Sequence, residues 1–142
     1  MKTKERRAFT LLELLVVLII LGLLAALVGP RIVGKVGKAK SEIAKSQIAL
    51  LESALDQYRL DMGRYPTTEE GLKALVEPPA NEEEKDKWQG PYLKKRKVPN
   101  DPWGRPYHYR SPGEHGDYDL WTYGADNQPG GEGENADITS WD

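Results

Sequence analysis

A run of apolar residues near the amino terminus constrains this chain more than any other feature. It extends over residues 9–28, stops at Gly29-Pro30, and contains Glu13 as its only charged residue. A helix that crosses a bilayer needs roughly 20 mostly apolar residues, so the sequence predicts a transmembrane helix over residues 9–30. A carboxylate within such a helix is costly. Glu13 therefore has two interpretations. It lies at the membrane–water interface of a simple membrane anchor, or it is kept in the apolar segment because it has a function.

Basic residues, followed by one small residue, precede the apolar run. The basic residues are Lys2, Lys4, Arg6 and Arg7, and the small residue is Ala8. An ordinary secretory leader has its small-residue cleavage site after the apolar stretch instead. The order found here predicts cleavage between Ala8 and Phe9, which would remove residues 1–8 and leave the apolar helix on the mature chain. The new amino group of Phe9 would then lie close to Glu13.

Length, charge and cysteine content restrict the part of the chain beyond the apolar run. The chain has 142 residues, a formal net charge of -2 at pH 7 and no cysteine. This length leaves room for one small domain after a membrane helix. The charge balance gives no basic excess for nucleic-acid binding, so no nucleic-acid partner is expected. Without cysteine the chain has no disulfide, no thiol catalysis and no cysteine-ligated zinc.

The next segment has the pattern of an amphipathic helix. Apolar residues recur at helical spacing between polar ones, which predicts a helix over residues 31–62 that packs on a head domain. The residues of this apolar stripe are Val36, Ala39, Ile43, Leu50, Leu51, Ala54, Leu55, Tyr58 and Met62. Gly29-Pro30, with Gly34 and Gly37, predicts a bend or local melting of the long helix. A coiled-coil stalk is the alternative, but the stripe is too short and irregular for sustained heptads.

Residues 63–142 carry the signals of a small head domain. Thr67-Thr68-Glu69-Glu70 is a capping-box pattern and predicts a short helix that buries the leucines after it. The polar segment Ala80–Lys87 predicts a solvated, mobile loop. The basic run Lys94–Lys97 predicts a solvated edge, and the alternative is a surface that faces an acidic neighbour in a polymer.

Two segments of strand composition, Tyr107–Ser111 and Tyr118–Tyr123, flank a turn and predict an antiparallel hairpin that covers the helix. The predicted fold class is therefore α+β, with a long helix packed against a small antiparallel sheet. Ser111, His115 and Asp117 have the residue types of a hydrolase triad. They lie in one tight turn, where their side chains do not easily converge, so the sequence disfavours an enzyme.

Oxygen-bearing side chains alternate with glycines in the last stretch, from Tyr123 to Ile138. Ca²⁺ takes about 6–8 oxygen ligands from carboxylates, amides and carbonyls, and Asp126 and Asp137 bracket a loop able to fold around one ion. The spacing is not that of an EF-hand, and a disordered acidic tail is the alternative. Two considerations favour the calcium loop. The loop ends in the apolar residues Ile138 and Trp141, and a small head without disulfides benefits from a bound metal ion that stabilises it.

The segment Ala8-Phe9-Thr10-Leu11-Leu12-Glu13 resembles the processing site of type IV pilin-like proteins, with Ala8 in the place of the usual glycine. This resemblance implies cleavage by a prepilin peptidase before Phe9 and N-methylation of Phe9. It also implies that Glu13 pairs with the N-terminus of a neighbouring subunit as a filament assembles.

Four further segments are similar to those of the major pseudopilins of type II secretion. They are Arg64–Leu72, Gly90–Leu93, Asp101–Gly104 and Gly124–Asp126. The resemblance implies a non-catalytic subunit that leaves inner-membrane lipid to form a helical homopolymer, the periplasmic pseudopilus, which helps export folded proteins across the outer membrane. It implies a single-pass inner-membrane protein with its C-terminal head in the periplasm. Minor pseudopilins and an inner-membrane assembly platform are the implied partners.

The same resemblance implies a Ca²⁺ site in the C-terminal loop. Its expected ligands are Asp126 and Asp137, with carbonyl oxygens of Tyr123 and Gln128. The candidates for the remaining acidic ligand are Glu132, Glu134 and Asn135. Two alternatives are a type IV pilin, which usually has a disulfide-closed loop that this chain lacks, and a membrane-anchored periplasmic calcium-binding protein that does not polymerise.

Overall fold

The structure, a computed structural model, describes residues 10–142, apart from the side chains of residues 28–34. The predicted leader, residues 1–8, and the predicted cleavage and methylation site at Phe9 lie outside the described residues. The chain divides between Val36 and Gly37 into two compact units.

The longest element is helix α1, Leu11–Met62. Thr10 caps it, since its hydroxyl oxygen accepts a hydrogen bond from the Glu13 amide at 3.0 Å and its carbonyl accepts one from the Leu14 amide at 3.1 Å. The backbone is helical at Gly29 and Pro30, so the predicted local melting is not observed. Proline removes one donor from the ladder of hydrogen bonds, and the donors on either side of it maintain the helix.

The first unit has an apolar surface. Its described side chains are exposed from Thr10 to Leu27, and Leu11 and Leu23 are exposed by 86% and 66%. Among the described residues, no helix has the length and apolar character that crossing a membrane requires. The transmembrane helix predicted over residues 9–30 stays a prediction.

In the second unit, one stripe of α1 forms half of the hydrophobic core. Its buried apolar residues are Ala44, Ile48, Leu51, Ala54, Leu55, Tyr58 and Met62. The last five belong to the stripe that the sequence predicted. The prediction was wrong for the others: Val36 and Ile43 are each 50% exposed, Leu50 is 61% exposed, and Ala39 is exposed as well. Helix α1 therefore has a second, exposed apolar stripe beside the one that the head covers.

The other half of the core comes from a three-stranded antiparallel sheet and the segments before it. The strands are β1, His108–Arg110, β2, Asp119–Thr122, and β3, Ile138–Thr139, in the order β1-β2-β3. Tyr109 pairs with Leu120, and Thr122 pairs with Ile138. The predicted hairpin and the α+β class are confirmed, whereas β3 was not predicted because two residues carry no strand pattern.

The turn after α1 contains the predicted capping box. The Glu70 amide donates to the Thr67 hydroxyl at 3.1 Å, and the Thr67 amide donates to the Glu70 carboxylate at 2.9 Å. A 3-10 helix, Leu72–Leu75, comes next and buries both leucines. The capping box thus directs the chain back across α1.

Arg64 ties this turn to the next segment. Its guanidinium donates to Glu70 at 2.7 Å and to Glu84 at 3.0 Å. Glu84 lies in a short helix, α2, Glu82–Lys85, which Asn81 caps by accepting from the Glu83 amide at 2.9 Å. The prediction of a loop over residues 80–87 was therefore wrong at residues 82–85, which form α2, while the predicted exposure to solvent is confirmed for the segment apart from half-buried Glu84.

Alanine substitution of two adjacent leucines on α1 tests which stripe of the helix belongs to the hydrophobic core. Leu51→Ala is expected to destabilise the second unit by roughly 2–5 kcal/mol, because Leu51 is fully buried and leaves a cavity. Leu50→Ala is expected to change the free energy of unfolding by no more than about 0.5 kcal/mol. Urea unfolding of the full chain in detergent micelles measures both. Equal losses from the two variants would contradict the burial pattern.

Candidate assembly segment and metal loop

The first candidate site is the start of α1. Glu13 is exposed in the first turn of the helix, where the helix dipole favours a carboxylate. Its amide is bound by Thr10, but within residues 10–142 its carboxylate takes part in no hydrogen bond or ion pair. The predicted partner, the amino group of a neighbour's Phe9, lies outside the described residues. The pairing of Glu13 with a neighbour's amino group stays a prediction.

The exposed stripe of α1 in the second unit is a second apolar surface. Ile43 and Leu50 line a shallow groove of about 420 Å³ with Glu42, Ser46 and Gln47. Further along the helix, Leu60 is 85% exposed. Sequence reasoning placed Ile43 and Leu50 in the core and so missed this surface. The available signal was that α1 has more apolar positions than one helix face can bury.

The other candidate site is the C-terminal loop, residues 123–137, which joins β2 to β3. The Thr122–Ile138 pair closes its two ends. Within the loop the Ala125 amide donates to the Glu134 carbonyl at 3.0 Å. Gly124, with φ of 77°, lies so close to the other side of the loop that an added Cβ would be 2.7 Å from the Ala136 carbonyl. The loop is ordered, so the alternative of a disordered acidic tail does not describe it.

A turn from another part of the chain supports the loop. The buried Asp101 carboxylate accepts hydrogen bonds from the amides of Trp103 and Arg105 at 3.0 and 2.9 Å. It also accepts one from the Thr122 hydroxyl. Arg105 in turn donates to the Gly124 and Ala125 carbonyls at 2.6 and 2.9 Å. Sequence reasoning used this turn only as a mark of family resemblance and missed the link from Arg105 to the loop.

The structure directs both predicted carboxylate ligands towards one short segment. Asp126 accepts from the Gln128 amide at 3.1 Å, and Asp137 accepts from the Gly130 amide at 3.0 Å through Oδ2. The other oxygen of Asp137, Oδ1, is buried without a hydrogen-bond partner. A buried carboxylate oxygen without a donor is unfavourable, so Oδ1 fits a cation. The Tyr123 ring packs on His108 with centroids 4.8 Å apart.

The weaker candidates for a metal ligand differ in their placement. Glu132 and Asn135 are exposed, whereas Glu134 accepts a hydrogen bond from the Trp103 indole at 3.3 Å. Within residues 10–142 no three His, Asp or Glu side chains converge as a metal cluster would. A cation in this loop would therefore need backbone carbonyls beside its carboxylates.

A buried carboxylate, Asp119, fixes the turn that precedes β2. It accepts from Arg110 at 2.6 Å and from the amides of Glu114 and His115 at 2.9 and 3.1 Å. The His115 ring lies 3.2 Å from Asp119 and stacks on Trp141 with centroids 4.0 Å apart. Burial raises the pKa of Asp119, but the hydrogen bonds from Arg110 and the amides outweigh it, so the pKa lies well below its ordinary value.

The same contacts separate the triad-like residues. His115 pairs with Asp119, and the Ser111 hydroxyl donates to the backbone carbonyl of Asp117 at 3.2 Å. The Asp117 side chain is thus not the partner of His115, and the three groups form a turn rather than a nucleophile, base and acid in line.

A long N-terminal helix with an exposed apolar start, packed on a small antiparallel sheet with an ordered C-terminal loop, defines a pilin-type subunit. A solved structure of this kind is the crystal structure of the major pseudopilin from the type 2 secretion system of enterohaemorrhagic Escherichia coli. It matches with a TM-score of 0.62 and 40% identity, over 77% of this chain and 92% of that chain.

The chain belongs to the type II secretion system protein G family, whose model matches residues 31–141, and a prokaryotic N-terminal methylation motif matches residues 3–29. It is 49% identical over 140 residues to the type II secretion system core protein G of Vibrio cholerae, covering 99% of this chain and 94% of that protein. It is 45% identical to the core protein G of Pseudomonas aeruginosa over 100% and 99% of the two. The predicted family is confirmed, and the chain is a structural subunit, not an enzyme.

The pH dependence of stability tests the Asp119 cluster. Because the folded-state pKa is below the ordinary value of 3.8, the ionised group stabilises the fold above that pH, and this stabilisation is lost as the pH falls towards the folded-state pKa. Asp119→Asn is expected to cost roughly 3 kcal/mol at pH 7, since Arg110 would lose a buried charge partner. It is also expected to flatten the acid limb of the unfolding free energy against pH.

The matched control is Asp117→Asn, which removes an exposed carboxylate from the same turn. Urea unfolding of the full chain in detergent between neutral and acidic pH measures both variants. If the unfolding free energy of Asp119→Asn falls at acidic pH as much as that of the wild-type chain, Asp119 is not the group responsible.

Proposed function

We propose that this chain polymerises into the pseudopilus of a type II secretion system, a periplasmic filament that helps export folded proteins across the outer membrane. The observation that carries the proposal is the continuous exposure of the apolar side chains from Leu11 to Leu27. An apolar surface of this extent needs lipid or a protein partner to cover it. The relatives, which are named as secretion core proteins and a major pseudopilin, support the filament.

The apolar segment has two environments in this proposal. Before assembly it lies in the lipid of the inner membrane as the single anchor of the subunit, with the head in the periplasm. After assembly it lies among the same segments of neighbouring subunits. Contacts between different surfaces of identical subunits produce an open helical filament. The exposed stripe with Ile43 and Leu50 adds apolar surface for such neighbours.

Glu13 supplies the register of assembly. A prepilin peptidase would cut between Ala8 and Phe9, and the new amino group, methylated on Phe9, would pair with Glu13 of an adjacent subunit. A carboxylate in an apolar environment is stabilised only when a cation is correctly placed. Minor pseudopilins and an inner-membrane assembly platform complete the expected set of partners.

Removing the charge of Glu13 tests the register. Glu13→Ala and Glu13→Gln are expected to insert and fold but to reduce filament yield by about tenfold or more, since each 1.4 kcal/mol lost from a contact is tenfold. Electron microscopy of sheared filaments and secretion assays measure the effect. The control, Glu69→Ala, removes an exposed carboxylate from the head.

Normal filaments from both Glu13 variants would contradict the register. No filaments from the wild-type chain, together with normal membrane insertion, would favour an anchored protein that does not polymerise.

We further propose that the C-terminal loop binds Ca²⁺. Asp126 and Asp137 would hold the ion with carbonyl oxygens of Tyr123 and Gln128, because the buried Oδ1 of Asp137 has no other partner among the described residues. Bound Ca²⁺ would supply the missing positive charge and fix the two sides of the loop. The ion would be structural, and it would keep the head in the shape that assembles.

Calcium removal tests this second proposal. Ca²⁺ at 100 times its dissociation constant is expected to stabilise the full chain by about 2.7 kcal/mol relative to the same chain in excess chelator. Thermal melting in detergent measures the difference. Asp137→Ala should abolish that gain, and Glu77→Ala, an exposed acid outside the loop, should retain it. A melting temperature of the wild-type chain that does not respond to Ca²⁺ would refute the site.

A further inference from the structure

Gly37 is a glycine inside a helix, where glycine is unfavourable relative to alanine because it loses more backbone freedom on folding. It is buried, and it lies on the same face of α1 as Ser41 and Ala44, at the start of the stripe that the head covers. Gly22, another glycine of α1, has nothing within 4 Å of the position of an added Cβ. Gly37 differs from it and requires a local explanation.

The explanation is a side chain from the C-terminal loop. A Cβ built on Gly37 would lie 2.6 Å from Oε2 of Glu134 and 2.8 Å from its carboxyl carbon. Both distances are shorter than a carbon atom can tolerate without a shift. The Glu134 carboxylate therefore occupies the space that any other residue at position 37 would need.

Glu134 is held in this position by contacts on its other sides. Its Oε1 accepts from the Trp103 indole at 3.3 Å, and its carbonyl accepts from the Ala125 amide at 3.0 Å. It also lies in the 3-10 helix Gly133–Asn135. A carboxylate at the end of a flexible chain usually moves aside at little cost, but this one would lose its hydrogen bond from the Trp103 indole.

We propose that Gly37 is a positioning residue, which lets Glu134 pack against α1 and thereby fastens the C-terminal loop to the helix. Movement of the loop that withdraws Glu134 would then release the loop from the first buried turn of α1. The contact also directs the Glu134 carboxylate towards the helix and Trp103. Sterics and hydrogen bonds are sufficient for this contact, and it does not depend on a bound metal ion.

Two single variants and the double variant test the contact. The decisive quantity is the sign of the change in melting temperature that Gly37→Ala causes in each background. In the wild-type background, Gly37→Ala is expected to lower the melting temperature of the full chain in detergent by about 3 °C, because Glu134 is displaced. In the Glu134→Ala background the same substitution is expected to raise it by about 3 °C, since only the higher helix propensity of alanine remains.

A second measurement reports on the loop itself. Hydrogen exchange at the Ala125 amide and the emission of the Trp103 indole are expected to change in Gly37→Ala and in Glu134→Ala. The control, Gly22→Ala, makes the same chemical change where space is open and should leave both unchanged.

Gly37→Ala that stabilises both backgrounds equally, with unchanged Ala125 exchange, would overturn the proposal. If Gly37→Ala alone fails to fold, recovery of folding in the double variant supports the contact, and failure of the double variant overturns it.

Discussion

The rest of the structure depends on the burial of one narrow stripe of α1 beneath the head. Leu51, Leu55 and Tyr58 are fully buried there, and the sheet and the 3-10 helix after the capping box pack on them. The chain after α1 has only short strands and short helical turns, so it lacks a core of its own. The head therefore folds by packing on α1, and α1 supplies the larger part of the hydrophobic core.

A few polar contacts then hold the segments of the head in place. Arg64 joins the first turn to α2, Asp101 joins the loop at Trp103 to β2, and Asp119 joins the hairpin turn to Arg110. The first two join segments about 20 residues apart and the third closes a single hairpin, each through a partly or fully buried charged group. Buried charges tolerate few alternative partners, so these contacts select one arrangement of short elements that propensity alone would leave undetermined.

Local patterns predicted the parts of the fold that local interactions build. The capping box at Thr67 and the hairpin depend on near neighbours in sequence, and the leader and Glu13 form a contiguous motif. The caps at Thr10 and Asn81 are also local, but they were not predicted. The buried face of α1 was only half predicted, because Leu50 and Leu51 are equally apolar and the choice between them is made by the head. The role of Arg105 and the pairing of strand β3 depend on residues distant in sequence and leave little local signal. Asp119 bonds to Arg110, Glu114 and His115 within its own hairpin, but an acidic residue in a strand gives no sign of its burial.

The closure of the C-terminal loop by the Thr122–Ile138 pair has a consequence for how this family can vary. Since β2 and β3 hold both ends of the loop, its middle can lengthen without moving the sheet, and a doubling of loop length costs only about 0.6 kcal/mol in closure entropy. The exposed segment around Pro129, beyond the proposed ligand Gln128, is then the part of the head where insertions accumulate most easily. Different filaments could in this way present different outer surfaces on one common support.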